Sequence, residues 1–367
     1  MERKEIHVIY GREDIAGMAQ ELMEKMAVAD RLNPQMRIAL KPNFVIPGPA
    51  EKGATTHPEI ADGIFRYFYD RGFRNLAIME SSWAGQQNTE AAFRLCGFEA
   101  IAQKYGARFY DLKRDPVLER TVDGLSLHIC RRPLLETDFL INLPVLKAHC
   151  QTRMTCALKN LKGCIPDREK RRFHQLGLTR PIACLAKALP VHLTVVDAIC
   201  GDLTFEEGGH PVPMDRLIGG FDPVLVDSYG ASLLGFAVED ISYLSPAEKL
   251  GVGSTDLSAA DLHEHRVEHR TRNLFRPNDA AHRLAKYIKA DSACSVCYGS
   301  LIHALQRLSE GGKKPTQTIC IGQGYRGREE NGIGIGNCTA QFKTHLPGCP
   351  PSAKEISDFL SSMPSYG

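Results

Sequence analysis

The chain has 367 residues, 43% of them hydrophobic, and its 45 basic and 43 acidic side chains leave a formal charge of +2. That length can bury a large core and implies two or three domains, while near-neutrality gives no electrostatic basis for a nucleic-acid partner or an anionic membrane. No stretch approaches the ~18 apolar residues of a membrane span, and the charged residues 1–5 run into a strand-like segment without a signal-peptide core, so a cytoplasmic location is expected.

Short apolar runs alternate with amphipathic stretches from the N-terminus onward, the pattern of an α/β protein with a mostly parallel sheet core. Strands are predicted at 5–10, 36–40, 75–79, 107–112, 139–143 and 192–197. Helices are predicted at 18–29, 58–71, 89–105, 181–189 and 222–234. Gly72 and Gly106 stop two of them, and Asp222 with Pro223 starts the last. A short helix over 152–163, ended by Gly163 and Pro166, would bury Met154, Leu158 and Leu161 and turn Thr155, Lys159 and Lys162 to one polar stripe. Gly208 and Gly209, and Gly219 and Gly220, read as tight loops. Residues 251–279 turn polar, with His263, His265 and His269 among charged neighbours, and read as a solvated linker or flap. The expected organisation is an α/β core in two lobes over 1–250, the linker, and a small cysteine-rich lobe over 280–367 with a strand at 318–321 and a closing helix at 353–361.

The twelve cysteines, in a reducing compartment, are thiols or metal ligands and not a disulfide framework. Cys294 and Cys297 form a C-x2-C pair; Cys338 and Cys349 follow, the last before Pro350. Four thiolates with this layout predict a [4Fe–4S] cluster, with tetrahedral zinc as the alternative that spacing alone leaves open. Gly299, Gly332, Gly334, Gly336 and Gly348 would let backbone N–H groups approach the sulfurs. Cys320, within an apolar run, reads as a small core hydrophobe. Cys150, Cys156 and Cys164 fit no common ligand spacing.

Polar residues fall just beyond the predicted strands: Lys41 and Asn43, then Glu80 to Ser82, then Lys147 and His149, then Asp197. In a parallel sheet such positions meet in the crevice outside the carboxyl ends of the strands. Lys41, Asn43, Thr155, Asn160 and Lys162 are therefore the expected binding residues for a carboxylate, phosphate or anionic cofactor, against the competing reading of solvated lysines. His149 is the candidate general acid/base, and Lys147 or Lys159 the candidate base or carbonyl-binding amine.

The Lys41-Pro42-Asn43 turn, the stretch from Asn142 to His149, Leu158 to Gly163, Val196 to Ile199 and Gly220 to Asp227 together resemble the domain-of-unknown-function 362 family. The resemblance covers roughly residues 35–245, with Lys159 to Gly163 its most specific piece. Members are often iron–sulfur associated, many through an appended ferredoxin module, so the resemblance implies this fold and an iron–sulfur context. The chain departs from the ferredoxin-bearing pattern C-x2-C-x2-C-x3-C-P, and carries Leu203 to Glu206 where a glycine-richer loop is usual. The expected function is an oxidoreductase that passes electrons from a [4Fe–4S] cluster to an anionic small molecule or a bound flavin, with a ferredoxin-like electron donor as partner. Two alternatives stand beside it: a lyase or racemase using His149 and a lysine with a structural metal, and a protein that delivers a cluster or metal.

Overall fold

The computed structural model describes residues 4–45, 47–82, 89–204, 210–271, 275–277 and 280–363. The Gly208–Gly209 loop and the Phe205–Glu206 part of the expected lid lie outside these residues. In chain order the strands are β1 (Glu5–Tyr10), β2 (Ile38–Lys41), β3 (Leu76–Glu80) and β4 (Arg108–Asp111). A hairpin of β5 (Val117–Val122) and β6 (Leu125–Cys130) follows, then β7 (Phe139–Asn142) and the short pair β8 (Lys147–His149) and β9 (Arg153–Thr155). The long strands β10 (Leu193–Asp202) and β11 (Pro211–Gly220) precede β12 (Asp261–His265). The last four are β13 (Ile288–Ala290), β14 (Ile319–Ile321), β15 (Ile333–Ile335) and β16 (Thr344–Leu346).

Eight strands form the main sheet in the order β12-β1-β11-β10-β7-β2-β3-β4. From β10 to β4 every neighbour is parallel, as expected. The sheet is mostly parallel, five of its seven neighbouring pairs, but mixed, because β11 pairs antiparallel with both β10 and β1. The segment expected to be a linker contributes β12, which pairs parallel with β1 and brings His263 opposite His7.

Alternation along each strand feeds two cores, one on each face. Ile38, Leu40, Ile78, Ile141 and Val195 point to one side, toward the helices Ile15–Lys25 and Pro58–Asp70. Ile6, Val8, Ala39, Leu140 and Val196 point to the other, toward Thr179–Ala188 and Pro223–Leu233. The helix Pro58–Asp70 buries Ile60, Ile64, Phe65 and Phe68 completely, each contributing about 1.5–3 kcal/mol. The helix expected over 89–105 is divided at Gly97, whose φ of +82° is left-handed, into Thr89–Leu95 and Phe98–Tyr105. None of the helices among the described residues is long and apolar enough to cross a membrane.

The C-terminal segment builds its own four-stranded parallel sheet in the order β13-β14-β15-β16. Ile319, Ile321, Ile333 and Ile335 pack with Leu301 and Leu305 of the helix Ser295–Glu310 and with Ile356 and Leu360 of the closing helix Ala353–Ser361. The expected iron–sulfur lobe is corrected at this point. Among the described residues, no group of three or more His, Cys, Asp or Glu side chains is placed to hold a metal ion, and the lobe is organised by aliphatic packing. Gly334 and Gly348, read as leaving room for a cluster, leave room for the chain itself. A Cβ on Gly334 would meet Thr339 Oγ1 at 2.6 Å, and one on Gly348 would meet the Pro351 backbone at 2.7 Å.

Candidate functional site

Because β2, β3 and β7 run parallel, their last residues Lys41, Glu80 and Asn142 arrive together at the carboxyl edge. Lys41 Nζ donates to Glu80 Oε2 at 2.6 Å and to the Pro42 carbonyl at 2.9 Å. Both partners of this ion pair are buried, with 0% and 3% of their side chains exposed. The other carboxylate oxygen, Oε1, accepts the Ser81 backbone N–H at 2.8 Å.

A ladder of amides crosses behind this pair. Lys147 Nζ donates to Asn43 Oδ1 at 3.0 Å and to the Ala54 carbonyl at 2.8 Å. Asn43 Nδ2 donates to Asn160 Oδ1 at 2.7 Å, Asn160 Nδ2 to Asn142 Oδ1 at 2.8 Å, and Asn142 Nδ2 to the Ala157 carbonyl at 2.9 Å. Every rung is buried, where an unpaired amide would cost about 1–3 kcal/mol.

The segment expected as one helix over 152–163 is shorter and irregular. It starts as strand β9, breaks at Cys156, and only then forms the helical turn Ala157–Asn160 and the tighter turn Leu161–Cys164. Asp227, projecting from the helix Pro223–Leu233, accepts the N–H groups of Ala157 and Leu158 at 2.5 and 3.1 Å. Burial pushes this carboxyl up to about 7, against the pull of those same hydrogen bonds. Gly163 closes the turn because nothing larger fits: a Cβ there would sit 1.9 Å from Glu80 Oε1, and that carboxylate is held on both oxygens.

In front of these walls lies a cavity of about 130 Å³. Asn43, Thr155, Lys159, Asn160 and Lys162 line it. Lys159 Nζ donates to Thr155 Oγ1 at 3.0 Å. Lys41, Lys147 and His149 do not line it but stand behind it, and the Nδ1 of His149 accepts the N–H groups of Gln151 and Thr152 at 3.1 and 3.0 Å.

The far wall was not foreseen. The helix Asp167–Gln175 places Lys170, Arg171 and His174 on the cavity. Lys170 Nζ is buried and donates to the Ser81 and Ser82 carbonyls, both at 2.7 Å, and to Ser81 Oγ at 2.6 Å. Burial lowers the pKa of this ammonium, opposed by Asp167 and Glu80.

Cys294, Cys297 and Cys349 rim the cavity; Cys338 does not. Burial, with Cys338 and Cys349 nearby, pushes the Cys294 thiol up. These thiols nevertheless do not converge as a ligand set among the described residues. The expectations of a [4Fe–4S] cluster at Cys294, Cys297, Cys338 and Cys349, of zinc in its place, and of an oxidoreductase driven by that cluster are therefore overturned.

The family described as Domain of unknown function (DUF362) matches residues 38–232, which span β2 through the helix Pro223–Leu233 and hence both strand-end walls. The chain belongs to the DUF362 family. This DUF362 chain is 26% identical over 253 residues to the thylakoid-associated protein sll1697 of Synechocystis sp., covering 63% of the present chain and 72% of that protein. A crystal structure of a Thermotoga maritima protein matches with a TM-score of 0.40 at 12% identity, over 63% of this DUF362 chain and 58% of the other.

Proposed function

We propose that this protein binds a small anionic molecule, a carboxylate or a phosphate, in the cavity at the carboxyl ends of β2, β3 and β7. The observation that supports this reading is the charge of the lining. Lys159, Lys162, Lys170, Arg171 and His174 come from two separate segments, and the acid among the described lining residues, Glu80, is already paired with Lys41. Lysine and arginine at such a crevice recognise carboxylate and phosphate by charge-assisted hydrogen bonds. Lys159 and Lys162 are the binding contacts in this reading, and Asn43, Asn160, Lys41, Lys147 and His149 hold the walls that aim them. A cytoplasmic location accompanies it, supported by the buried thiols of Cys156, Cys164 and Cys184.

Calorimetric titration with inorganic phosphate and with small mono- and dicarboxylates tests the reading. Saturable binding that weakens with salt is expected for at least one class. A charge-assisted contact contributes about 1.5–3 kcal/mol, so Lys159→Ala should raise Kd roughly ten-fold or more. Absence of saturable binding by any of these anions, or an unchanged Kd in both Lys159→Ala and Lys162→Ala, would refute it.

A further inference from the structure

The lining of the cation-rich cavity divides along the chain. Its cations Lys159, Lys162, Lys170, Arg171 and His174 all come from residues 159–174. Two other segments bring apolar groups to the same cavity: Phe44 and Val45 at the exit of β2, and Val296 and Cys297 in the first turn of the helix Ser295–Glu310, with Pro350 on the rim.

Packing keeps these apolar groups in place. Lys41 and Asn43 are held by Glu80, Asn160 and Lys147, so the chain leaves β2 on a fixed course and carries Phe44 into the core with 3% of its surface exposed. There its ring meets Phe98 edge-on, with centroids 4.9 Å apart and planes at 69°, an arrangement that aromatic pairs favour. Val45, the next residue, is only partly buried. In the C-terminal lobe Leu301 and Leu305 anchor the helix in the aliphatic core, while Val296 and Cys297 in its first turn stay partly open. That turn is fixed to the core by Ser295 Oγ, which donates to Gln151 Oε1 at 2.7 Å, and by Gln151 Nε2, which donates to the Ala293 carbonyl at 3.0 Å.

Inorganic phosphate or acetate could satisfy the cations, yet would leave Val45 and Val296 facing water. A ligand with an apolar substituent removes that surface from water, which is favourable in proportion to the area covered. Pockets for organic ligands combine an apolar lining with a few polar groups that fix orientation, and this cavity has both parts. Its volume of about 130 Å³ is close to the ~150 Å³ that holds a single benzene ring. Resting on the anion-binding reading above, we propose that the ligand is an amphiphilic organic anion: a carboxylate or phosphate monoester whose apolar substituent is no larger than one six-membered ring or a chain of about five carbons. The charged head lies against Lys159 and Lys162, and the substituent covers Phe44, Val45 and Val296.

Calorimetric titration of the full chain at neutral pH with acetate, butyrate, hexanoate and octanoate tests the proposal, with inorganic phosphate and phenyl phosphate as a second series. Each methylene that leaves water strengthens binding about four-fold. In each series that shows saturable binding, hexanoate should therefore bind about ten-fold or more tightly than acetate, and phenyl phosphate about ten-fold or more tightly than inorganic phosphate. The gain should end with the cavity, so octanoate should exceed hexanoate by less than about two-fold. Val45→Thr and Val296→Thr keep the side-chain shape and add a hydroxyl at positions that are already partly open. Each should weaken hexanoate about three-fold or more relative to acetate, and either one serves if the other does not fold. Equal Kd values for acetate and hexanoate, and for the two phosphates, while Lys159→Ala weakens all of them, overturn this proposal and leave the anion reading standing. A gain that continues undiminished to octanoate, or valine variants that shift acetate and hexanoate alike, also overturn it. No binding by any of these anions, or Kd values that neither Lys159→Ala nor Lys162→Ala moves, overturns both.

Discussion

Replacing Lys41 by methionine removes the ammonium while keeping most of the side-chain volume, so it isolates the charge. The pair with Glu80 is 2.6 Å long and fully buried. At an effective dielectric of about 20 its gross attraction is roughly 6 kcal/mol. Part of that only offsets the desolvation of the two ions, and experience with buried pairs puts the net cost of removing one partner at about 3–5 kcal/mol. The Pro42 carbonyl loses its donor as well. Equilibrium urea denaturation followed by circular dichroism measures the loss. Because the cost resides in a stranded carboxylate, Lys41→Met combined with Glu80→Gln should recover about half of it or more. A single mutant within about 1 kcal/mol of the parent protein, or a double mutant no more stable than the single, would show that Glu80 does not depend on Lys41 and would refute the reasoning.

Gly163→Ala should destabilise the protein and weaken anion binding together, since the new methyl must displace a carboxylate fixed by Lys41 and Ser81; an unchanged melting temperature and phosphate titration would count against that fixed geometry. Asp227→Ala strands the buried N–H groups of Ala157 and Leu158 and should cost about 2 kcal/mol or more in urea denaturation. Burial first, then His263 and His265, pulls His7 down to about 4. The unfolded chain then takes up the proton more readily, so the β1–β12 edge keeps its full stability above about pH 6.5 and loses it as pH falls toward 4. The protection of the amides at 261–265, taken relative to their intrinsic exchange rates, should fall across that window, and His7→Phe should flatten the response; protection that does not change with pH would remove the histidines from the account.

The strands that carry Lys41, Glu80 and Asn142 were legible because each is a short apolar run stopped by a polar residue, and a parallel sheet brings such stops together without further information. Lys159 and Lys162 were brought together by helical spacing instead, although the helix expected over 152–163 is shorter and irregular. The helix carrying Lys170, Arg171 and His174 was not: in Asp167–Gln175 Phe173 is the sole apolar side chain, so no hydrophobic period marks it. Besides the buried Phe173, it is held by a buried lysine that reaches the carbonyls of Ser81 and Ser82 from 89 and 88 residues away. β12 was hidden similarly, since an edge strand reading Asp-Leu-His-Glu-His presents few apolar side chains, and its partner β1 is remote in sequence. The cysteine spacing misled for a different reason. Spacing constrains the chain between ligands but does not say which side chains fill the lobe, and here the isoleucines of β14 and β15 do so.

The amide ladder behind the cavity has a polarity that its two ends dictate. An ammonium can only donate, so Lys147 obliges Asn43 to present its oxygen; the Ala157 carbonyl can only accept, so Asn142 must present its nitrogen. Between these terminals Asn160 has a single admissible orientation, and turning any one amide over would set like poles against each other at two rungs. The row therefore behaves as one switchless circuit spanning three distant stretches of chain, in which the amide dipoles add in the same sense and no rung can relax alone. A wall of that kind is cast before any ligand arrives, so in the proposed anion-binding role discrimination would rest on shape already present and not on adjustment after contact.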